Sequence, residues 1–223
     1  MSKQQYRNDD FKIVTEIQKF DISLYQIFKA CDKRLRQTVL ARICDMSEEL
    51  LYMTDRANRK FESGSTERIK SQKATIELAD RIDLFIPIVC KVCQAGTDNE
   101  ADLRLRMSRI RDMLNNWLTS DIKKQNDCLR NRYMKLKRDY LKNEKVIHKI
   151  ADICRKKEIP NPERYMEAGS EALSKRRYLT TEIEKVKAEF DRSTKELDER
   201  TRSDNYTLLD QVIKELRKAG EDI

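Results

Sequence analysis

Three groups of cations are the residues of this chain whose types and spacing could do chemistry, and that chemistry is the capture of phosphate. The stretch "CDKRLRQTVLARI", residues 31–43, opens a helix on Asp32 as N-cap, yet crowds Lys33, Arg34 and Arg36 into its first turn. The partial positive charge of a helix N-terminus disfavours cations there by about a few tenths of a kcal/mol each. Exposed N–H groups beside cations suit an anion; the plain alternative is solvated surface charge. A second group, Arg104, Arg106, Arg109 and Arg111, contains no lysine. Arginine is the residue for bidentate phosphate contact, and Arg104 and Arg111, seven apart, share one helix face. Asp102 or Asp112 could instead neutralise them.

The third group is the largest. Residues 121–157 hold thirteen Lys/Arg against five Asp/Glu, whereas residues 158–223 hold thirteen against sixteen. The surplus of a chain whose net charge is +8 is therefore gathered on one helix, through Lys123, Lys124, Arg130, Arg132, Lys135, Lys137, Arg138, Lys142, Lys145, Lys149 and Arg155–Lys157. Pairing with an acidic return helix accounts for part of it. The excess over what pairing requires suits a polyanion.

Other chemistries lack their residues. There is no glycine-rich loop followed by Lys-Ser/Thr, no Gly-x-Ser-x-Gly and no dinucleotide fingerprint. Cys90-x-x-Cys93 would need two further ligands to hold zinc, and the single histidine, His148, lies on a distant segment. The six cysteines, among them Cys31, Cys44, Cys128 and Cys154 at positions that look half-buried, read as reduced thiols serving as small hydrophobes. No metal, no cofactor and no catalytic residue is expected.

The elements that must carry these cations are helices. Four glycines and three prolines among 223 residues, with 39% charged and 39% apolar residues, describe long helices and an all-α fold. The stripe Ile13, Ile17, Phe20, Leu24, Ile27 predicts a first helix starting near 8–10. Leu35, Val39, Ile43, Met46, Leu50, Met53 and Ala57 predict a second. After the loop "ESGST", with Thr66 as cap, a third runs to Gly96 through Ile69, Ile76, Ala79, Ile82, Phe85, Ile86 and Val89; Pro87 should bend its last turns. Thr97-x-x-Glu100 forms a capping box, with Asp98 as rival, for a fourth along Leu103, Met107, Ile110, Leu114 and Trp117. Short links make this an up-down four-helix bundle over residues 8–120.

Nothing between Trp117 and Ile122 breaks a helix, so helix four should continue into helix five. Positions 122, 129, 133, 136, 140, 143, 147, 150 and 154 form a heptad seam interrupted by Asn126 and Asn143. "KKEIPNPE" turns the chain, with Asn161 as N-cap and Pro162 at N1. Ala172, Leu179, Ile183, Val186, Phe190 and Leu197 return, completing an antiparallel coiled-coil hairpin over residues 121–223, with a phase slip and break near Ser203–Asp204. The longest apolar patch, "LFIPIVCKVC", is too short for a membrane span, and "MSKQQYRNDD" holds no apolar leader, so a cytoplasmic protein is expected.

"FKIVTEIQKFDISLYQIFKACDKRLRQTVLARICDMSEELLYMTDRANR", followed later by "RMSRIRDMLNNWLTS", resembles the Avd family, the accessory variability determinants of diversity-generating retroelements. The likeness covers about residues 8–120 and rests on an aromatic-rich first helix, Lys33-x-x-Arg36 opening the second, and a terminal helix closing on Trp117. Asp32 replaces the usual proline, Asn115-Asn116 replace small residues, and the hairpin has no counterpart in short members. The resemblance implies a basic ring-shaped homo-oligomer, typically a pentamer, that binds a reverse transcriptase and its template RNA, with Lys33, Arg34 and Arg36 carried over as contact residues. It implies a non-catalytic accessory role. A helical adaptor for protein partners, or a structural coiled coil without a nucleic-acid ligand, fits the same helices.

Overall fold

The computed structural model describes residues 11–155 and 161–218; for Ala30, Arg36 and residues 202–218 it describes the backbone alone. Within these residues the chain is all-α and has no strand. Helix α1 covers Lys12–Ile27, α2 Lys33–Leu35, α3 Ala41–Lys60, α4 Thr66–Val92, α5 Thr97–Cys154 and α6 Pro162–Lys218. The chain divides into two compact units, residues 1–122 and 123–223. Because α5 is unbroken from Thr97 to Cys154, it contributes to both.

The first unit has one core. Ile13, Ile17, Phe20, Leu24 and Phe28 meet Leu40, Ile43, Met46 and Leu50, then Leu78, Ala79, Ile82, Ile86 and Val89, and finally Leu103, Met107, Ile110 and Leu114. Four stripes at three- and four-residue spacing thus close on one another, which is how amphipathic helices remove their apolar faces from water. Full burial of each large side chain is worth about 1.5–3 kcal/mol.

The joints differ from simple helix ends in three places. A 3₁₀ turn over Phe28–Ala30 ends α1; Asp32 then accepts from the Arg34 N–H at 2.7 Å and starts α2, the capping role its type predicts. The next five residues, Arg36–Leu40, form a π-helical turn rather than an α-helical one. A π turn inserts a residue into the helical count, so Leu40 enters the core where the unbroken spacing predicts Val39, which is half-buried. The first helix begins at Lys12, and the expected start near 8–10 lies outside the described residues.

Between α3 and α4, Ser65 N–H donates to the Glu62 carbonyl at 3.0 Å, closing a turn in which Gly64 takes φ 79°. Ser65, not Thr66, caps α4 by accepting from the Arg68 N–H. Helix α4 contains Pro87 and stops at Val92, short of the expected Gly96. The stop is a Schellman turn: Ala95 N–H donates to Cys90 C=O, Gln94 N–H to Lys91 C=O, and Gln94 takes the left-handed φ of 54° usually given to glycine. Gly96 then offers its carbonyl to the N–H groups of Asn99 and Glu100, so the cap of α5 falls one residue before the expected Thr97.

In the second unit α5 and α6 run antiparallel. Arg132 meets Glu182 at 3.1 Å, Asn143 Nδ2–H donates to the Ala172 carbonyl at 2.8 Å, and Ile150 lies beside Gly169, so contacts descend α6 as they ascend α5. Leu129, Ala172, Leu179 and Val186 are buried between them, with Tyr133, Leu136, Tyr140, Ile147, Ile183, Phe190 and Leu197 half-buried along the same seam. Cys154, expected to end the seam, is exposed, as is Cys128. Helix α6 runs through Ser203–Asp204 without the expected break. Asn161, also left-handed at φ 57°, directly precedes Pro162, while the rest of the expected turn, 156–160, lies outside the described residues.

Candidate nucleic-acid interface

The seam fixes which side of α5 looks outward. With 126, 133, 140 and 147 at one seam position and 129, 136, 143 and 150 at the other, the outward heptad positions b, c and f lie on the far side of the helix. There Lys135, Arg138, Lys142, Lys145 and Lys149 follow one another at alternating spacings of three and four, all exposed. None of the five has a carboxylate partner among the described residues. Arg138 directs its Nε–H to the Met134 carbonyl of its own helix, which leaves its charge unneutralised. The other outward residues in this stretch, Met134, Leu141 and His148, are exposed and carry no negative charge. Asp139 and Glu144 are half-buried on the flanks, and Glu144 is held by Arg176 of α6 at 3.0 Å. From Met134 to Lys149 the face therefore carries positive charge alone, with Asp127 and Asp152 exposed on the same side beyond its two ends.

The row opposes the stability of its own helix. Like charges three or four residues apart destabilise a helix by about 0.2–0.5 kcal/mol a pair, and the row contains four such neighbours.

The remaining candidates divide. Lys123, Arg130 and Lys137 share a flank of α5 beside the row and are exposed; the Lys137 ammonium lies 5.9 Å from the Tyr133 ring centroid. Lys124 is exposed as well. Arg132 spends its charge on Glu182. In the first unit Lys33 and Arg34 are exposed at the start of α2, while the side chain of Arg36 lies outside the described residues. Arg104 and Arg111, expected to present one phosphate-facing surface, are drawn to α4 instead. Arg111 sits 2.6 Å from Asp80 and 3.3 Å from Asp83, and Arg104 lies 3.8 Å from Asp83. Only Arg106 takes a partner on its own helix, Asp102 at 2.7 Å. Arg104 and Arg111 thus join helices, and the surplus charge available to a ligand is concentrated after residue 122.

One polar cluster has no counterpart in the spacing arguments. Asp121, 1% exposed, accepts from Ser63 Oγ at 2.5 Å and Gln72 Nε2 at 2.6 Å, and lies 2.7 Å from the Arg68 guanidinium. Arg68 also reaches the Phe61 carbonyl and Asn58, and its guanidinium stacks 4.9 Å from the Trp117 ring, whose edge meets Phe11. The signal was present: Asp121 continues the core stripe Leu103, Met107, Ile110, Leu114, Leu118 at helical spacing. A carboxylate on such a stripe must find a buried cation.

Thiol chemistry finds no support in the geometry. Cys31 Sγ–H donates to the Cys93 carbonyl at 3.7 Å, which brings both halves of the Cys90-x-x-Cys93 pair near α2. Burial, then the Glu100 carboxylate and Cys31, pushes the Cys90 thiol up to about 11, and burial with the hydrogen-bonded Cys31 pushes that of Cys93 up to about 12. A thiolate is the reactive form, so these groups stay protonated and inert at neutral pH. Alkylation of the native protein by iodoacetamide at neutral pH should label Cys128 and Cys154 rapidly and leave Cys31, Cys44 and Cys90 until denaturant is added; peptide mass spectrometry reads the order. No helix among the described residues is long and apolar enough to cross a membrane. The chain matches no protein-family model, no curated protein and no solved structure.

Proposed function

We propose that this protein is a non-catalytic accessory factor that binds RNA through the basic face of α5. The observation that carries the reading is the row Lys135, Arg138, Lys142, Lys145, Lys149, exposed, of one sign and costly to its helix. Such a row neutralises phosphates and positions a polynucleotide without reading its bases. The resemblance of residues 8–120 to the Avd family extends the proposal: the RNA is the template of a reverse transcriptase, the enzyme is a second partner, and the protein acts as a homo-oligomer in the cytoplasm. Lys33 and Arg34 would supply the first unit's contacts.

Binding of an RNA transcript, followed by fluorescence anisotropy across a salt series, tests this. Each phosphate contact contributes close to one unit of slope in log K against log salt, so five predict a slope of about −4 and a loss of roughly a hundredfold or more between 50 and 200 mM salt. A slope near zero would favour the second reading, an adaptor for protein partners. Its support is the apolar stripe Leu84, Ile88 and Val92, exposed on α4 at four-residue spacing. Apolar docking responds weakly to salt.

A further inference from the structure

The row also bears on the form of the polynucleotide, given the polyanion reading above, on which this inference rests. Alternating spacings of three and four keep the five cations on one line along a continuous helix. At 1.5 Å of rise per residue the line extends about 21 Å, with a charge roughly every 5 Å. It is a preformed, stiff, linear array on a convex surface. A duplex is its physical counterpart, a stiff rod bearing one charge per about 1.7 Å of axis. Two rigid arrays lose little conformational freedom on meeting. A single strand is less densely charged and must be straightened to follow the line.

Proteins that hold single strands add aromatic side chains on which bases stack, lining a groove. The outward face of α5 has no Phe, Tyr or Trp, and its one ring, the His148 imidazole, stands alone rather than in a stacking series. Tyr133 and Tyr140 are half-buried in the seam, and the exposed Tyr178 stands on α6. The neighbours of the row are Met134, Leu141 and His148. From Met134 to Lys149 the outward positions also hold no Asn, Gln, Ser or Thr, the side chains that most often join Arg in reading base edges. Four of the five cations are lysines, compact charges suited to phosphate oxygens rather than to a base edge.

We propose that the row takes double-helical nucleic acid through the phosphates along its backbone, without regard to sequence, and discriminates against single strands. The test uses the full chain and fluorescence anisotropy with four probes of equal length: an RNA duplex, a DNA duplex of matching sequence, and an unstructured single strand of each. The duplexes should bind about tenfold or more tighter than the single strands, with steeper salt slopes, and scrambling the duplex sequence should change nothing. Preference for the RNA duplex over the DNA duplex, or parity between them, supports the assignment and identifies the helical form accepted. Single strands bound as tightly as duplexes overturn it while leaving the polyanion reading intact. Failure of all four probes to bind removes both. Duplex binding that survives the Lys135→Gln/Arg138→Gln/Lys142→Gln/Lys145→Gln/Lys149→Gln variant places the duplex elsewhere and overturns the proposal as well.

Discussion

An Asp121→Ala variant should lose about 3 kcal/mol of stability in the unit formed by residues 1–122, seen as a lower urea midpoint for that unit's transition with little change in slope. The carboxylate is almost fully enclosed and answers three donors from three side chains, Ser63, Gln72 and Arg68. Removing it strands a guanidinium whose side chain is 11% exposed. Breaking a buried pair by deleting one partner typically costs about 3–5 kcal/mol. The lower end applies because Arg68 keeps the Phe61 carbonyl, Asn58 and the Trp117 ring. Replacing both members, Arg68→Met with Asp121→Leu, should regain part of the loss, since it removes the stranded guanidinium but leaves the buried Gln72 amide without its acceptor. A single Asp121→Ala variant within about 1 kcal/mol of the parent would mean that the cluster contributes little beyond its packing.

Changing the five cations of the α5 row to glutamine should have the opposite signature: RNA affinity falls by about a hundredfold or more near 100 mM salt, while the melting temperature stays the same or rises. Gln has nearly the helix propensity of Lys and Arg, and all five positions are exposed. The substitutions therefore remove no packing and relieve four like-charge neighbours, a gain of about 1–2 kcal/mol in total at low salt. The salt slope should shrink by about four units, leaving the share carried by Lys123, Arg130, Lys137 and the cations of α2. Arg104→Gln with Arg111→Gln is the matched control. Those arginines serve Asp80 and Asp83, so the control should cost a little stability and little affinity. Because the control removes two charges and the row variant five, an equal loss of RNA binding free energy per charge removed in the two variants would show that net charge alone, rather than the row, attracts the ligand.

Much of this architecture was readable from spacing. The stripes Ile13–Leu24, Ile82–Val89 and Leu103–Leu114 are core, and α5 runs through Trp117 into the region of heptad repeat, because apolar periodicity is a property of the chain itself. What escaped depends on neighbours that sequence does not specify. The π turn at Arg36–Leu40 shifts the phase by one residue and exchanges Val39 for Leu40. Arg111 could be paired on paper with Asp112, yet the register of α4 against α5 delivers Asp80 and Asp83. Asp121 was visible as a carboxylate on an apolar stripe, but its partners come from positions some fifty residues earlier. In the candidate interface the surplus charge was legible by counting. Only the seam, by showing which positions face α6, separates the row from cations such as Arg132 that are spent internally.

A surface of uniform sign also decides what it will not do. Brought alongside the same stretch of another copy, the face of α5 from Met134 to Lys149 meets only its own polarity, so side-by-side stacking of these stretches is opposed. Long amphipathic rods otherwise tend to coalesce into larger bundles. Here electrostatic self-avoidance guards that side, and homotypic assembly must use other faces.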